Sequence, residues 1–362
     1  METLILDVLK EYGFSENEVQ HLAPYGDGLI NRTYRFFAKG KAYLLQKINT
    51  DVFKNPEGLM NNFTDVTAFL KEKIAKNGGD PEREALTIVK TLDGKNFVET
   101  RYGAFRVMLF IDAISINAAE EPEQLVSVAA TFGKFQNMLA DYPADTLFEV
   151  IPDFHNTPKR FEHLETAIKE NAAGRLHLVT DEVNYALSMK QRICAVVDGF
   201  ADGTIPLRVS HNDTKLNNVL LDKETKTGIC VIDLDTVMPG SYLYDYGDAL
   251  RFAGNNTIED DPDLSKVYLN FENFAAFTEG YLSEVKSVLT EREIELLPFS
   301  ILLMAYECGI RFLTDYLNGD TYFKTTYPEH NLVRARNQFK YAQNLDENMG
   351  KMSEFIKNYC NR

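Results

Sequence analysis

A change of hydrophobic period near residue 110 constrains this 362-residue chain more than any other feature in it. Up to that point most of the pattern is two-residue alternation. Residues 31–38 and 42–48 flank Lys39-Gly40-Lys41 as the arms of a hairpin. Two more β runs lie around 86–92 and 104–111, joined across Asp93-Gly94 and Tyr102-Gly103. Two helices are expected among them: residues 1–12, with Leu4, Ile5, Val8, Leu9 and Tyr12 on one face and Gly13 as the stop, and residues 59–76, ended by Gly78-Gly79. Beyond residue 118 the period becomes helical, near 121–141, 158–172, 181–200, 265–317 and 329–358. One β island interrupts it, at 207–210, 219–221 and 228–232. The expectation is an α+β chain of two unequal lobes, a β-rich one over residues 1–110 and a larger helical one over 111–362, with a junction from Phe110 to Ala113.

Composition removes several classes of function. The formal net charge is −16, which repels nucleic acid over long range and argues against a nucleic-acid partner. No run approaches the roughly 18 consecutive apolar residues of a membrane span, so no membrane is expected. The start of the chain lacks the basic and apolar segments of a secretory signal, which makes the cytoplasm the expected location. Cys194, Cys230, Cys308 and Cys360 are far apart, which fits buried thiols and indicates neither a disulfide framework nor a zinc site.

The β island holds the residues that carry chemistry. His211-Asn-Asp213-Thr-Lys215-Leu-Asn217-Asn218 lies between short strands, and Ile232-Asp233-Leu234-Asp235 follows an apolar strand. Phosphoryl transfer needs a carboxylate to accept the proton of the attacking hydroxyl, oxygen ligands for Mg²⁺ and a cation near the γ-phosphate. Asp213, then Asn218 with Asp233, then Lys215 supply these parts. The bland alternative makes Asp213 and Asp233 turn residues. His211 is assigned to holding the loop and not to proton transfer. No P-loop and no Gly-x-Gly-x-x-Gly is present, and Val237 and Met238 rule out an EF-hand at Asp233. Tyr25-Gly26-Asp27-Gly28 reads equally well as a phosphate-covering flap or a plain turn.

His211-x-Asp213-x-x-x-x-Asn218 followed by Ile232-Asp233 resembles the signature of the aminoglycoside phosphotransferase and choline kinase family, small-molecule kinases with a protein-kinase-like two-lobe fold. Ile232-Asp-Leu-Asp-Thr-Val-Met-Pro-Gly240, Gly28-Leu-Ile-Asn-Arg-Thr-Tyr34, Phe154-His-Asn-Thr-Pro-Lys-Arg160 and Tyr244-Asp-Tyr-Gly-Asp-Ala-Leu-Arg251 are more closely similar to the N-acetylhexosamine 1-kinases. The resemblance implies a nucleotide-binding first lobe, a catalytic and substrate-binding second lobe, ATP as co-substrate and Mg²⁺ as cofactor. It implies an amino sugar as acceptor, Asp213 as base, Asn218 and Asp233 as metal ligands with Asp235 assisting, and Asn31 and Arg311 near the sugar. Gly28, Phe110 and Asp112 would border the nucleotide. Of Gln46 and Lys47, on opposite faces of one strand, the alignment favours the first as the phosphate contact and the chemistry favours the second. Leu29 stands where the family loop usually has His, which leaves the sugar open. Arg311 also reads as a snorkelling surface residue, Asp245 and Asp248 as braces after Tyr244, and His155 as a loop histidine with a backbone partner. The rival functions are phosphorylation of another alcohol, such as choline, an aminoglycoside or homoserine, and nucleotide binding without catalysis.

Overall fold

A computed structural model describes residues 2–26 and 30–361. Helix α1 (Glu2–Lys10) precedes strands β1 (Gln20–Pro24), β2 (Arg32–Ala38) and β3 (Lys41–Ile48). Helices α2 (Pro56–Lys76) and α3 (Pro81–Glu84) lead to β4 (Ile88–Val89), β5 (Val98–Thr100) and β6 (Gly103–Leu109). All six strands pair antiparallel in the order β1-β2-β3-β6, and β4 and β5 share the far edge of β6. The β2–β3 turn is as tight as the sequence suggests: Ala38 faces Lys41, and Lys39 and Gly40 take φ of 50° and 75°, the two left-handed residues of a type I′ hairpin.

Alternation along the strands gives the sheet two different faces. Phe36, Tyr43, Leu45, Phe105 and Val107 pack under Ile5, Val8, Leu9 and Tyr12 of α1. The residues between them on β3 and β6, including Gln46, Arg106 and Met108, face the other way, where Met60 and Phe63 of α2 touch Arg106. The run at 86–92 is shorter as a strand than its composition suggests. Thr91 Oγ1 donates to Asp93 (2.5 Å) and accepts from the Lys95 amide (2.8 Å), so a side-chain turn takes the chain out of the ladder.

The second lobe contains α4 (Pro122–Met138), α5 (Thr157–Glu170), α6 (Thr180–Ser188), α7 (Ala195–Asp202), α8 (Tyr242–Ala253), α9 (Phe271–Val285), α10 (Glu291–Leu317), α11 (His330–Glu347) and α12 (Met349–Cys360). The helix expected over 181–200 is two helices. The turn between them lets Met189 and Ile193 enter the core while Arg192 makes a two-pronged ion pair with Asp346 of α11. Thr290 and Glu293 form a reciprocal capping box that starts α10 and separates it from α9. The β island is two ribbons: β7 (Arg208–Ser210) with β10 (Met238–Gly240), and β8 (Val219–Leu221) with β9 (Gly228–Val231). Strand β10 has no sequence signal because it is three residues long and contains a Pro-Gly pair, which reads as a turn.

Helix α10 is the one helix among the described residues long and apolar enough to cross a membrane, yet 83% of that stretch is buried inside the protein. It is the central rod of the lobe, packed by α5, α8 and α11. Helices α4 and α9 approach each other closely at Gly280, where any Cβ would strike the carbonyl oxygen of Val126. Gly280→Ala is therefore expected to lower stability by about 1–3 kcal/mol, read as a fall in the thermal unfolding midpoint. An unchanged midpoint would show that the α4–α9 seam can open without cost.

Candidate active site

The loop from β7 to β8 is held from three sides before any substrate is considered. His211 is fully buried; its Nε2 contacts the Ile232 carbonyl (2.9 Å) and its Nδ1 accepts from the Asp213 amide (3.3 Å), which fixes the orientation of the ring. Asp245, on the first turn of α8, accepts from Ser210 Oγ (2.9 Å), the His211 amide (2.9 Å), the Asn212 amide (2.7 Å) and Gln136 Nε2 (2.7 Å). Burial raises the Asp245 carboxyl above its ordinary 3.8, and those donors hold the rise in check. Asn212 takes φ of 64°, and its side chain donates to the carbonyls of Ser210 (3.0 Å) and Thr236 (2.9 Å). The left-handed residue is thus pinned by both its amide and its side chain, so Asp213 leaves the loop in one fixed direction. The bracing expected of His211 is what its contacts provide, whereas Asp245, expected to brace the segment after Tyr244, instead holds the loop at Ser210 to Asn212.

Asp213 is half-buried, and its Oδ1 lies 2.7 Å from Lys215 Nζ. Burial works against the charge on Lys215, but Asp213 and then Asp248 outweigh it and raise its pKa above 10.5. Asn218 donates from Nδ2 to the Asp213 carbonyl (2.8 Å), which leaves its Oδ1 as the oxygen available to a cation. Asp233 follows β9 with φ of 59° and presents its carboxylate on the open side of the cleft. The surrounding protein, then Asp235 and Asp213, push its carboxyl up to about 6. Carboxylates that resist one another's ionisation are relieved by a bound cation. The hard oxygens of Asn218 and Asp233 suit Mg²⁺. Among the described residues no three His, Cys, Asp or Glu side chains form a cage, so such an ion would complete its shell with phosphate and water, as Mg²⁺ does.

The remaining residues expected in the site are distributed as follows. Gln46 faces the cleft, donating to Thr33 Oγ1 (3.0 Å) and accepting from Arg106 Nε (2.9 Å) and Nη2 (2.7 Å). Lys47 lies on the α1 side, beside Gly103 and over Phe105 (5.9 Å). Asp235 is buried, with Oδ1 accepting from Arg106 Nη1 (2.5 Å) and Oδ2 from Asn31 Nδ2 (2.5 Å). The Oδ1 of Asn31 accepts from the Asn49 amide (2.9 Å). Phe110 meets Tyr25 edge to face (5.5 Å) and carries the Arg35 guanidinium over its ring (4.2 Å). The Asp112 side chain points away from this wall, to Lys223 at the surface (2.5 Å). Gly28 and Leu29 lie outside the described residues. Arg106 joins these residues with little mark in the sequence beyond one charge inside the apolar run Ala104 to Met108.

Behind the loop, His155 Nδ1 contacts Glu307 Oε1 (2.8 Å) and Nε2 contacts the Asn212 carbonyl (3.1 Å). Both partners only accept, so both ring nitrogens donate and the ring is an imidazolium. Burial opposes that charge most strongly, but the attraction and hydrogen bond of Glu307, with Asp248 and the Asn212 carbonyl, together outweigh it and raise the His155 pKa above 6.5. Burial likewise opposes the Glu307 charge, and His155 with Arg311 holds its carboxyl below 4.5. Glu307 also accepts from Thr157 Oγ1 (2.6 Å), and one turn on along α10 stands Arg311. Arg311 opens into a cavity of about 350 Å³ between α5 and α10, lined also by Arg160, His163, Tyr322 and Phe323. Its guanidinium lies over Phe154 (5.8 Å) and Phe323 (5.6 Å). The His155–Glu307 pair stabilises the fold in a window of pH. Its contribution is lost on the acid side as pH falls through the depressed Glu307 pKa, and on the alkaline side as pH rises through the raised His155 pKa. In thermal unfolding against pH, His155→Gln is expected to remove the alkaline loss; an alkaline limb identical to wild type would show that His155 is not its source.

This arrangement can be set beside known proteins. A spectinomycin phosphotransferase, solved with ADP and spectinomycin, superposes with a TM-score of 0.56 at 15% identity, covering 95% of this chain and 98% of its own. An aminoglycoside phosphotransferase from Alicyclobacillus acidocaldarius gives 0.61 at 13% identity, with 97% and 96% covered. A choline kinase from Cryptosporidium parvum gives 0.58 at 13% identity, with each chain covered completely. These similarities establish the kinase-like two-lobe fold. The sequence itself matches the family described as phosphotransferase enzyme family over residues 21–279, which takes in the sheet, the His211–Asn218 loop and Asp233. The chain belongs to the phosphotransferase enzyme family of the aminoglycoside phosphotransferase type.

Proposed function

We propose that this phosphotransferase is an ATP- and Mg²⁺-dependent kinase that phosphorylates the anomeric hydroxyl of an N-acetylhexosamine, releasing ADP and the sugar 1-phosphate. The observation that carries the choice of acceptor is the lining of the cavity between α5 and α10, which is linked to the loop through Phe154, under the Arg311 guanidinium, and its neighbour His155, which holds the Asn212 carbonyl. Two guanidinium groups, Arg160 and Arg311, stand there with the aromatic rings of Tyr322 and Phe323. The one buried carboxylate in the lining, Asp315, is already saturated by the amides of Thr321, Tyr322 and Phe323 and by Asn331 Nδ2, all within 2.9 Å, and Glu170 stands at the exposed end of α5. A pocket with donors, rings and no free buried carboxylate suits a neutral polyol with an acetamido carbonyl. It opposes the cations that choline kinases and aminoglycoside kinases take.

In this reading Asp213 orients the attacking hydroxyl and takes its proton as the new O–P bond forms and the bond from the γ-phosphorus to the β,γ-bridging oxygen breaks. The contact with Lys215 orients the Asp213 carboxylate and places a cation beside the transferring group. Asn218 and Asp233 would hold Mg²⁺, which when bound neutralises charge on the phosphates. ATP would lie between the lobes against the wall from Tyr25 to Phe110. The intact Asp213, Lys215, Asn218 and Asp233 set argues against a nucleotide-binding protein without activity.

Asp213→Asn is expected to bind nucleotide normally and lose roughly 10²–10⁴-fold in kcat, the range that a positioned base contributes. Retention of most of the turnover would remove Asp213 from that role. Incubating the protein with ATP, Mg²⁺ and a panel of alcohols, with ³¹P detection of the product, is expected to give an anomeric phosphate from an N-acetylhexosamine. Phosphate on choline, on an aminoglycoside or on a primary hydroxyl would overturn the assignment of acceptor. Arg311→Leu is expected to raise KM for the sugar at least tenfold while KM for ATP stays within about twofold, the loss expected when a charge-assisted hydrogen bond disappears. Equal changes in both constants would place Arg311 outside the acceptor site.

A further inference from the structure

We propose that Asp235 is a positioning residue and not a metal ligand: its two carboxylate oxygens tie Arg106 of the sheet and Asn31 at the head of β2 to the loop that carries Asp233, and so set the nucleotide-binding geometry of the cleft. The inference rests on the kinase reading of that cleft and on no particular acceptor.

Both oxygens of Asp235 are engaged at 2.5 Å, one by Arg106 Nη1 and the other by Asn31 Nδ2. Its side chain is 3% exposed and that of Arg106 1%, whereas Asp233, two residues earlier, opens to the cleft. A cation at Asp235 would have to displace the guanidinium or share a carboxylate with it, and the positive charge of Arg106 held against that carboxylate repels a dication. Breaking a buried pair of this kind leaves a charge without compensation.

The rest of the network shows what the tie accomplishes. Arg106 spends Nε and Nη2 on Gln46 Oε1, and Gln46 Nε2 reaches Thr33 Oγ1, so β6, β3 and β2 meet at one guanidinium. Its face lies over Phe63 (4.9 Å) and its Nη1 lies 3.8 Å from Met60 Sδ, both on α2. Asn31 returns through Oδ1 to the Asn49 amide just after β3. Arg106 therefore references the sheet and α2 to Asp235, and Asp235 sits in the single turn of 3₁₀ helix, Leu234–Thr236, that follows Asp233. Shifting Asp235 shifts both Asp233 and the entry to β2.

The test compares Asn31→Ala, Arg106→Gln, Arg106→Lys, Asp235→Asn and the Arg106→Gln/Asp235→Asn double variant by calorimetric titration with Mg²⁺-ADP, and by the Mg²⁺ concentration that half-activates ATP turnover. Asn31→Ala, Arg106→Gln and Asp235→Asn are each expected to weaken nucleotide binding at least about fivefold, with the double variant within about threefold of the weaker single, because partners in one network do not add. Arg106→Lys, which keeps the charge, is expected to recover part of the affinity, and the Mg²⁺ midpoint to stay within about threefold of wild type throughout. A Mg²⁺ midpoint raised tenfold or more by Asp235→Asn but not by Arg106→Gln would make Asp235 a ligand and overturn the proposal. Unchanged nucleotide affinity in Asn31→Ala would overturn it as well. Asn31 is only half-buried, so that variant carries the test even if Arg106→Gln does not fold. Wild-type protein that binds no nucleotide would overturn the kinase reading itself, an outcome distinct from normal binding that ignores the network.

Discussion

The ion pair between Arg106 and Asp235 is the constraint on which the seam between the sheet and the helical lobe depends. It joins a strand of the sheet to a turn of the helical lobe, and both side chains are withdrawn from water. A buried pair is weak evidence of stability, since desolvation offsets most of the Coulomb attraction, but removing one partner costs about 3–5 kcal/mol. Such a pair does little to favour folding and a great deal to disfavour any other arrangement of the two lobes. The additional contacts of Arg106 with Gln46 and Phe63 use its remaining donors and its planar face, which lysine could not do.

A second set of constraints fixes the loop independently. Asp245 gathers two successive loop amides, and His155 holds the Asn212 carbonyl from the opposite side. The loop backbone is therefore bound through both its donors and its acceptor, which is how a left-handed asparagine is kept in place. Two buried carboxylates serve these contacts, Asp245 directly and Glu307 through His155. Neither needs to approach a substrate. Most of the polar groups buried around the site are thus occupied with holding a few others still.

What could be read from the chain follows from how far apart the partners lie. Asp213, Lys215 and Asn218 are near neighbours in sequence, and chemistry at that spacing is visible without a structure. The bracing by His211 was also legible, because polar residues in apolar surroundings must find partners, but the partners of Asp245, more than thirty positions back in the loop, were not. Arg106 could not be read in this way, since its carboxylate lies 129 positions away and a strand arginine carries no mark of its partner. The cavity was hidden for a similar reason: Arg160 and Arg311 belong to different helices, and only the packing of α5 on α10 brings them to one space. The face of β3 that meets the cleft became clear only from register, which sets Gln46 opposite Thr33 and Arg106 and leaves Lys47 on the side of α1.

Helix α10 gives this arrangement a mechanical character. Its 27 residues make a rod about 40 Å long, at 1.5 Å per residue. Near one end Glu293 grips Arg208 at the start of β7, the strand that delivers the loop. Further along, Gly247 of α8 rests against Ser300, Glu307 holds His155 under the loop, and Arg311 opens into the cavity. The jig that aims Asp213 and the wall that would feel the acceptor are fastened to the same beam. If the proposed acceptor site and base are right, an acceptor that fits poorly enough to displace the beam would spoil the alignment of Asp213 as well as its own binding, and selectivity and turnover would share one mechanical reference.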